Sequence, residues 1–258
     1  MTFDIGQLPL PRWEVDLIGD ERDLRHLVDC FKTGERFFYF DEALGQTLMV
    51  LSDFPADADA EAVISAATIG VKELSGVLMV SRNARRPLQI GGLMQRQING
   101  SRHVYSSAHC TARGFAEIFG QVLRPNAIGE LELVPEPLPI SVSLAELSRS
   151  DPAFARVMRY AASDDATQWG GLYRTFEAVQ NDLQDGGLSV EKIHLASKRE
   201  ITRFERTANS SASGDGSRHG HEKFAPPVNP MTLDEARTFV SCVLQGWASH
   251  RLRHLRDA

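Results

Sequence analysis

The hydrophobic repeat of this chain changes near its middle, and that change most constrains the fold. In the first half, apolar residues alternate with polar ones, as between Trp13 and Leu17, which is typical of β-strands. In the second half they recur every three or four residues, as on one face of a helix. Val134–Pro139 lies between the halves, and its three prolines hinder both kinds of backbone hydrogen bonding. The sequence therefore predicts an α+β fold, with a mixed α/β domain at residues 1–140 and an all-α domain at residues 141–258.

Turn signals divide the first half into strands and helices. Gly45 and the pair Asn99-Gly100 are residues that favour tight hairpin turns. They predict one hairpin from Arg36–Phe40 and Thr47–Leu51, and a second from Leu88–Gln97 and His103–Ala112. Helical spacing of apolar residues predicts helices over Leu24–Phe31 and Asp57–Val80.

Capping signals mark the helices of the second half. Asp151-Pro152 favours a helix start, and Thr232 with Glu235 forms a capping box before the last helix. A short helix is also expected over Val190–Ser197. Between the last two helices, residues 210–230 are rich in Gly, Ser and Pro, so we predict a long irregular loop there. Core positions are expected for four residues, namely Trp169, Trp247, Cys30 and Cys242.

Charge is unevenly distributed along the chain. Residues 1–73 hold fifteen Asp and Glu against six Lys and Arg, whereas residues 74–116 hold six arginines and no acid. Arginine offers a planar set of donors to phosphate oxygens, so this run could contact nucleic acid. Alternatively, its arginines pair with the acidic surface of residues 1–73. The candidate nucleic-acid contacts are Arg82, Arg85, Arg86, Arg96 and Arg102.

Composition indicates a soluble, cytoplasmic protein. No run approaches about 18 uninterrupted apolar residues, the length that crosses a membrane, and the first residues lack an apolar leader. The three cysteines are far apart, which predicts neither a disulfide framework nor a zinc ribbon.

The segment Gly214–His221 (GDGSRHGH) is the most site-like part of the loop. It could cradle phosphate, but it matches no known phosphate-binding fingerprint, so no cofactor is predicted. His219 and His221 could bind a metal with Asp215 or His194, but the third ligand has no definite spacing, so no metal is predicted. It could instead be an acid–base site, with His219 moving a proton and Arg218 stabilising charge. The remaining alternative is a flexible polar loop whose Arg218 bonds to helix carbonyls.

Four blocks in order carry a resemblance to a known family. They are Trp169–Glu177, Ile201–Asn209, Gly214–Gly220, and Pro226–Arg237 followed by Trp247. Together they resemble the C-terminal half of a large family of uncharacterised bacterial proteins, and that helical half is similar to HEPN-type domains. Many HEPN-type domains are metal-independent RNases of defence and toxin systems, with an Arg and a His at a dimer interface.

The resemblance implies a metal-independent endoribonuclease that acts on RNA and forms a homodimer through its helical domain. It places catalysis on Arg218 and His219, which are adjacent here but separated by a short spacer in those enzymes. Glu177 on its helix, or Asn209 at a helix end in a left-handed conformation, would orient the pair. The alternative is a non-catalytic binding or scaffold protein whose arginine-rich run recognises nucleic acid or an acidic protein.

Overall fold

The computed structural model describes residues 8–31, 36–107, 123–125, 131–133, 139–210 and 227–257. They belong to two compact units, a sheet unit within residues 1–67 and 89–143 and a helical unit within residues 68–88 and 144–258. The order of elements, with the strands early and most helices late, confirms the predicted mixture of α and β structure. Residues 68–88, which the sequence assigned to the first domain, lie in the helical unit.

The sheet unit is built on five antiparallel strands in the order β2-β3-β1-β4-β5. Its elements are β1 (Arg12–Ile18), α1 (Glu21–Cys30), β2 (Arg36–Asp41), β3 (Gln46–Leu51), β4 (Gln89–Arg96) and β5 (Arg102–Ser107). Both predicted hairpins are present, although residues 108–112 of the second lie outside the described residues. The backbones of Gly45 and Gly100 have the positive φ that their turns require. A separate two-stranded sheet pairs β6 (Leu123–Pro125) with β7 (Leu131–Leu133).

β1 is the central strand, and it is buried on both faces. Trp13, Val15 and Leu17 form the apolar face that the sequence predicts. The alternating polar positions, Arg12, Glu14 and Asp16, are also buried. The sheet thus places charged side chains on a covered face, where hydropathy alternation alone would expose them.

The helical unit contains the second part of α2 (Ala60–Arg82) and of α3 (Ile140–Ser150), with four further helices. These are α4 (Pro152–Ala161), α5 (Trp169–Asp185), α6 (Lys198–Ala208) and α7 (Leu233–Asp257). Its core is aromatic: the rings of Phe154 and Trp247 stack with centroids 4.8 Å apart, and Phe204 contacts Phe176 edge-on at 5.2 Å. The predicted caps at Asp151 and at Thr232–Glu235 are present.

α2 is long and apolar enough to cross a membrane, and within the described residues it is the one helix of this kind. More than half of its most apolar window, 56%, is buried inside the protein. Its Glu73 forms an ion pair with Arg159 of α4 at 2.5 Å, and its Ser75 hydroxyl accepts a hydrogen bond from the backbone N–H of Leu88. These contacts are those of a core helix and are consistent with a soluble protein.

Two local predictions of the fold are wrong, and one helix was not predicted. Residues 190–196 form turns instead of a helix, and His194 has a positive φ of 57° that interrupts helical geometry. Cys242 is exposed and Cys30 is only partly buried, so neither is a core residue. The sequence also gave no clear signal for α3, which follows directly after the proline-rich segment. Trp169 and Trp247 are buried as predicted.

Close helix packing at Gly76 of α2 generates a stability prediction. A Cβ atom at Gly76 would collide with the backbone carbonyl of Met158 on α4, whereas a Cβ at Gly170 of α5 would meet nothing within 4 Å. Gly76→Ala should therefore lower the free energy of unfolding by about 1–3 kcal/mol through overpacking. Gly170→Ala should leave it unchanged or raise it by up to about 1 kcal/mol. Urea denaturation of the two variants and wild type checks this, and equal effects would contradict the packing.

Candidate functional site: the surface of helix α6

Helix α6 precedes the segment that carries the predicted catalytic pair. Arg218 and His219 lie outside the described residues, as does most of the predicted 210–230 loop. α6 begins at a complete capping box, in which the Ser197 hydroxyl accepts from the Glu200 backbone N–H and the Glu200 carboxylate accepts from the Ser197 backbone N–H. The hydroxyl of Ser197 and its backbone N–H both donate to the Glu200 carboxylate and hold its pKa below the usual range, so this carboxylate is charged at neutral pH.

The chain returns from that segment onto α6 through a clamp at Arg203. Its guanidinium donates to the carbonyl oxygens of Asn229 at 2.8 Å and Pro230 at 3.0 Å. It also donates to both carboxylate oxygens of Glu235, at 3.0 and 3.1 Å. One turn further along, the Thr207 hydroxyl accepts from the backbone N–H of Met231 at 3.1 Å. The residues that follow the segment are therefore fixed on the same helix that precedes it.

Asn209 caps the end of α6. Its side-chain amide nitrogen donates to the carbonyl oxygen of Glu205 at 2.9 Å, and the residue is buried. Its φ of −101° lies in the ordinary region, so the predicted left-handed conformation is wrong. The backbone N–H of Asn209 also donates to the Glu205 carbonyl oxygen, at 3.1 Å, so the backbone and the side chain both bond to the last turn. Glu177 is half-buried on α5. That either residue orients Arg218 and His219 stays a prediction.

A cavity of about 860 Å³ opens beside α6 and residues 227–229. Four cationic side chains and one carboxylate, that of Glu200, line it; the cations are Lys198, Arg199, Arg203 and Arg206. Arg203 is committed to the clamp. Lys198, Arg199 and Arg206 are exposed and form no ion pair within the described part of the chain. The amphipathic pattern of α6 explains this placement, because Phe204 and Ala208 turn inward on the opposite face.

The arginine-rich run is divided between the two units. Arg82, Arg85 and Arg86 are exposed at and beyond the end of α2, in the helical unit. Arg96 and Arg102 lie on β4 and β5 of the sheet unit, where their side chains are only 25% and 18% exposed. The five predicted nucleic-acid contacts therefore do not belong to one surface of one unit.

Arg96 and Arg102 are neutralised by acids of the first 73 residues. Glu14, which has no exposed side-chain surface, accepts from Arg12 Nε at 2.7 Å and faces Arg96 at 3.7 Å and Arg102 at 3.8 Å. Asp41 pairs with Arg102 and lies 3.4 Å from Arg96. These contacts follow the second explanation of the charge pattern, in which the arginines pair with the acidic stretch.

The same covered face changes the pKa of two further groups. Burial raises the pKa of the Tyr39 hydroxyl, and the nearby Glu14 carboxylate raises it further. Burial also raises the pKa of Asp16, whose carboxylate accepts from the Gln46 amide at 3.1 Å. The face is therefore a compact network of charges and hydrogen bonds, with little of it open to a large ligand.

A second cavity contains two histidines that motif analysis did not single out. It measures about 300 Å³ and is lined by Asp182, Leu183, Gly186, Leu188, His250, Arg251 and His254. The rings of His250 and His254 have centroids 4.4 Å apart. Their spacing of four residues was the available signal, because residues i and i+4 share a helix face. Asp182 is already bonded to the Trp247 indole N–H at 2.7 Å.

The comparisons with known proteins add no family. No protein-family model, curated protein or solved structure matches this chain. Within the residues that the structure describes, no group of three or more His, Cys, Asp or Glu is placed to hold a metal ion. The resemblance to HEPN-type domains accordingly stays a prediction.

Glu14→Gln tests the ion network of the sheet unit. The substitution keeps the shape but removes the charge that faces three arginines, so the free energy of unfolding should fall by about 3 kcal/mol. The matched control is Glu21→Gln, which breaks the partly exposed pair of Glu21 with Arg25 and should cost less than about 1 kcal/mol. Chemical denaturation measures both. Equal free energies of unfolding for the two variants would contradict the prediction, because the ion network would then add nothing to stability.

His250 makes the stability of the protein depend on pH. Burial lowers the pKa of His250 below its usual 6.5, and the neighbouring His254 and Arg253 lower it further, against an opposing effect of Asp182. Because the unfolded chain then binds this proton more readily than the folded one, stability should fall as pH drops below about 6.5. His250→Gln should flatten that fall, as followed by the melting temperature between pH 7 and pH 5. An unchanged pH profile would contradict the prediction.

Proposed function

We propose that this protein is a metal-independent endoribonuclease of HEPN type, in which the helical unit holds RNA and Arg218 with His219 cleaves it. One observation supports the proposal above all. α6 presents three cationic side chains, which form no ion pair with the other described residues, beside the clamped end of the segment that carries the Arg-His pair. Phosphodiester groups are the ligands that such a surface attracts. A cytoplasmic location and a homodimer formed through the helical unit belong to the same proposal.

The proposed reaction is an internal transfer at phosphorus. His219 removes the proton of a ribose 2′-hydroxyl, the 2′ oxygen attacks the adjacent phosphorus, and the bond from phosphorus to the 5′ oxygen breaks. The 5′ oxygen takes up a proton from water, leaving a 2′,3′-cyclic phosphate and a 5′-hydroxyl. In the alternative assignment, His219 donates the proton to the 5′ oxygen and water takes up the proton of the 2′-hydroxyl. Arg218 stabilises the charge on the five-coordinate phosphorus, and Glu177 or Asn209 orients the pair.

The decisive experiment is a cleavage assay in excess EDTA on a mixture of structured and single-stranded RNAs. His219→Ala should lower the cleavage rate by about a hundredfold or more, since acid–base catalysis supplies a factor of that order. His103→Ala removes an exposed histidine of the sheet unit and should leave the rate unchanged. Equal helicity and equal melting temperatures of the three proteins establish that each is folded.

Two results would overturn the nuclease. Absence of cleavage by wild type would remove the activity, and undiminished cleavage by His219→Ala would remove the assigned base. The first result favours the second candidate function, a non-catalytic protein that binds nucleic acid or an acidic protein. Its supporting observation is the exposure of Arg85 and Arg86, which form no ion pair within the described residues. Such a binder is sensitive to salt and to Arg85→Glu with Arg86→Glu, and indifferent to His219→Ala.

A further inference from the structure

Among the charged surfaces of the described residues, the cavity beside α6 differs from that of the sheet unit because most of its cationic side chains are not in ion pairs. On the sheet unit, Arg96 and Arg102 face Glu14 and Asp41, and their charges are neutralised at short range. Around the α6 cavity, only Arg203 is neutralised in this way, by Glu235. Free cations beside a concave surface raise the local concentration of anions, because the cavity walls concentrate the field.

The one carboxylate in the cavity lining, that of Glu200, offsets only one of these positive charges. Glu200 directs Oε2 to the hydroxyl and backbone N–H of Ser197, at 2.6 and 2.9 Å, at the start of α6. Its role there is to close the capping box, a local contact made by any helix with this sequence pattern. Three of the four cations, those of Lys198, Arg199 and Arg206, line the cavity and form no ion pair with the part of the chain that the structure describes.

The positions of these cations along the helix suit an extended anion. Lys198 and Arg199 lie in the first turn of α6, and Arg206 lies about two turns further along, roughly 10 Å away along the helix axis. A single phosphate cannot bridge that distance, whereas successive phosphates of one strand can. The described lining contains no aromatic side chain on which a base could stack.

From this geometry we infer that the α6 cavity binds the sugar-phosphate backbone of a single RNA strand through Lys198, Arg199 and Arg206, without reading its bases. The inference rests on the proposed RNA substrate, but it does not require cleavage. Arg203 is a positioning residue in this arrangement: it holds residues 229 and 230 at the cavity wall and contacts no phosphate. Binding through charge alone is independent of sequence and strongly dependent on salt.

The test measures binding to a fluorescein-labelled single-stranded RNA by anisotropy, in EDTA and in a His219→Ala background, so that cleavage plays no part. The cavity variant combines Lys198→Ala, Arg199→Ala and Arg206→Ala. The matched control combines Lys72→Ala, Arg156→Ala and Arg253→Ala, one lysine and two arginines that are exposed elsewhere on the helical unit. Both variants lose the same net charge. Circular dichroism establishes that both are folded.

Loss of three contacts with RNA phosphates should weaken binding about a hundredfold at about 0.1 M salt. It should also make the negative slope of the logarithm of the binding constant against the logarithm of the salt concentration shallower by about 2. The control variant should bind within a few-fold of the parent protein. DNA of the same sequence should behave like the RNA, because a site that contacts only phosphates does not recognise the 2′-hydroxyl.

Three results would overturn the inference. They are absence of RNA binding by the parent, equal weakening by the two triple variants, and binding to RNA that DNA of the same sequence does not reproduce. Failure of the nuclease is a separate result, because it is read from cleavage by wild type and not from binding. A protein that binds RNA through this cavity but cleaves nothing would retain the site and lose only the proposed reaction.

Discussion

The buried carboxylate of Glu14 governs the distribution of charge in the sheet unit. It lies on the central strand β1 with no exposed surface, and an isolated carboxylate in such a place would cost several kcal/mol. Its charge must therefore be compensated by cationic side chains. These are Arg12 on the same strand and Arg96 and Arg102 on β4 and β5. Arginines that neutralise this acid are not available to a phosphate backbone.

The same ion pairs indicate how strongly the sheet is curved. Asp41 lies on edge strand β2 and Arg102 on edge strand β5, yet the two side chains form an ion pair. In a flat sheet these strands would be roughly 19 Å apart, four strand spacings, which is farther than the two side chains can reach. The sheet is therefore strongly coiled, and its charged face lies on the inside of the curve.

In the helical unit, α6 combines structure and charge in eleven residues. Phe204 contacts Phe176 and Phe239 in the aromatic core, which fixes which side of the helix is buried. That orientation leaves the cations of the opposite side in solvent. Arg203 lies at the boundary between the sides and ties the chain that follows residue 226 to the helix. Core packing therefore determines where the basic surface is.

Local signals in the sequence were reliable where a few adjacent residues decide the structure. Gly45 and Gly100 supply the conformations that hairpin turns need, and Thr232 with Glu235 closes its capping box whatever the rest of the chain does. Signals that depend on distant partners were not reliable. Residues 190–196 have helical composition but form turns, and Cys242 carries an apolar side chain that the packing leaves exposed.

The candidate site was predictable only in part for the same reason. Asn209 was correctly placed at a helix end, but its side-chain bond to Glu205 depends on how α6 terminates. The basic residues of α6 are visible in the sequence as Lys198, Arg199, Arg203 and Arg206. Nothing in their order tells that Arg203 is bound by Glu235, thirty-two residues away, while the others are not.

The sequence by itself determined most of the elements, the hairpin turns and two of the helix caps, and the general order of strand-rich and helix-rich parts, because these follow from contacts within a few residues. The tertiary structure alone decided which charges are neutralised. Arg96 and Arg102 belong to the same acid-free run as Arg85 and Arg86, yet the first two face Glu14 and Asp41 and the second two are exposed. The energy of an ion pair depends on the distance between the two charges and on how deeply they are buried, and both are set by the tertiary structure.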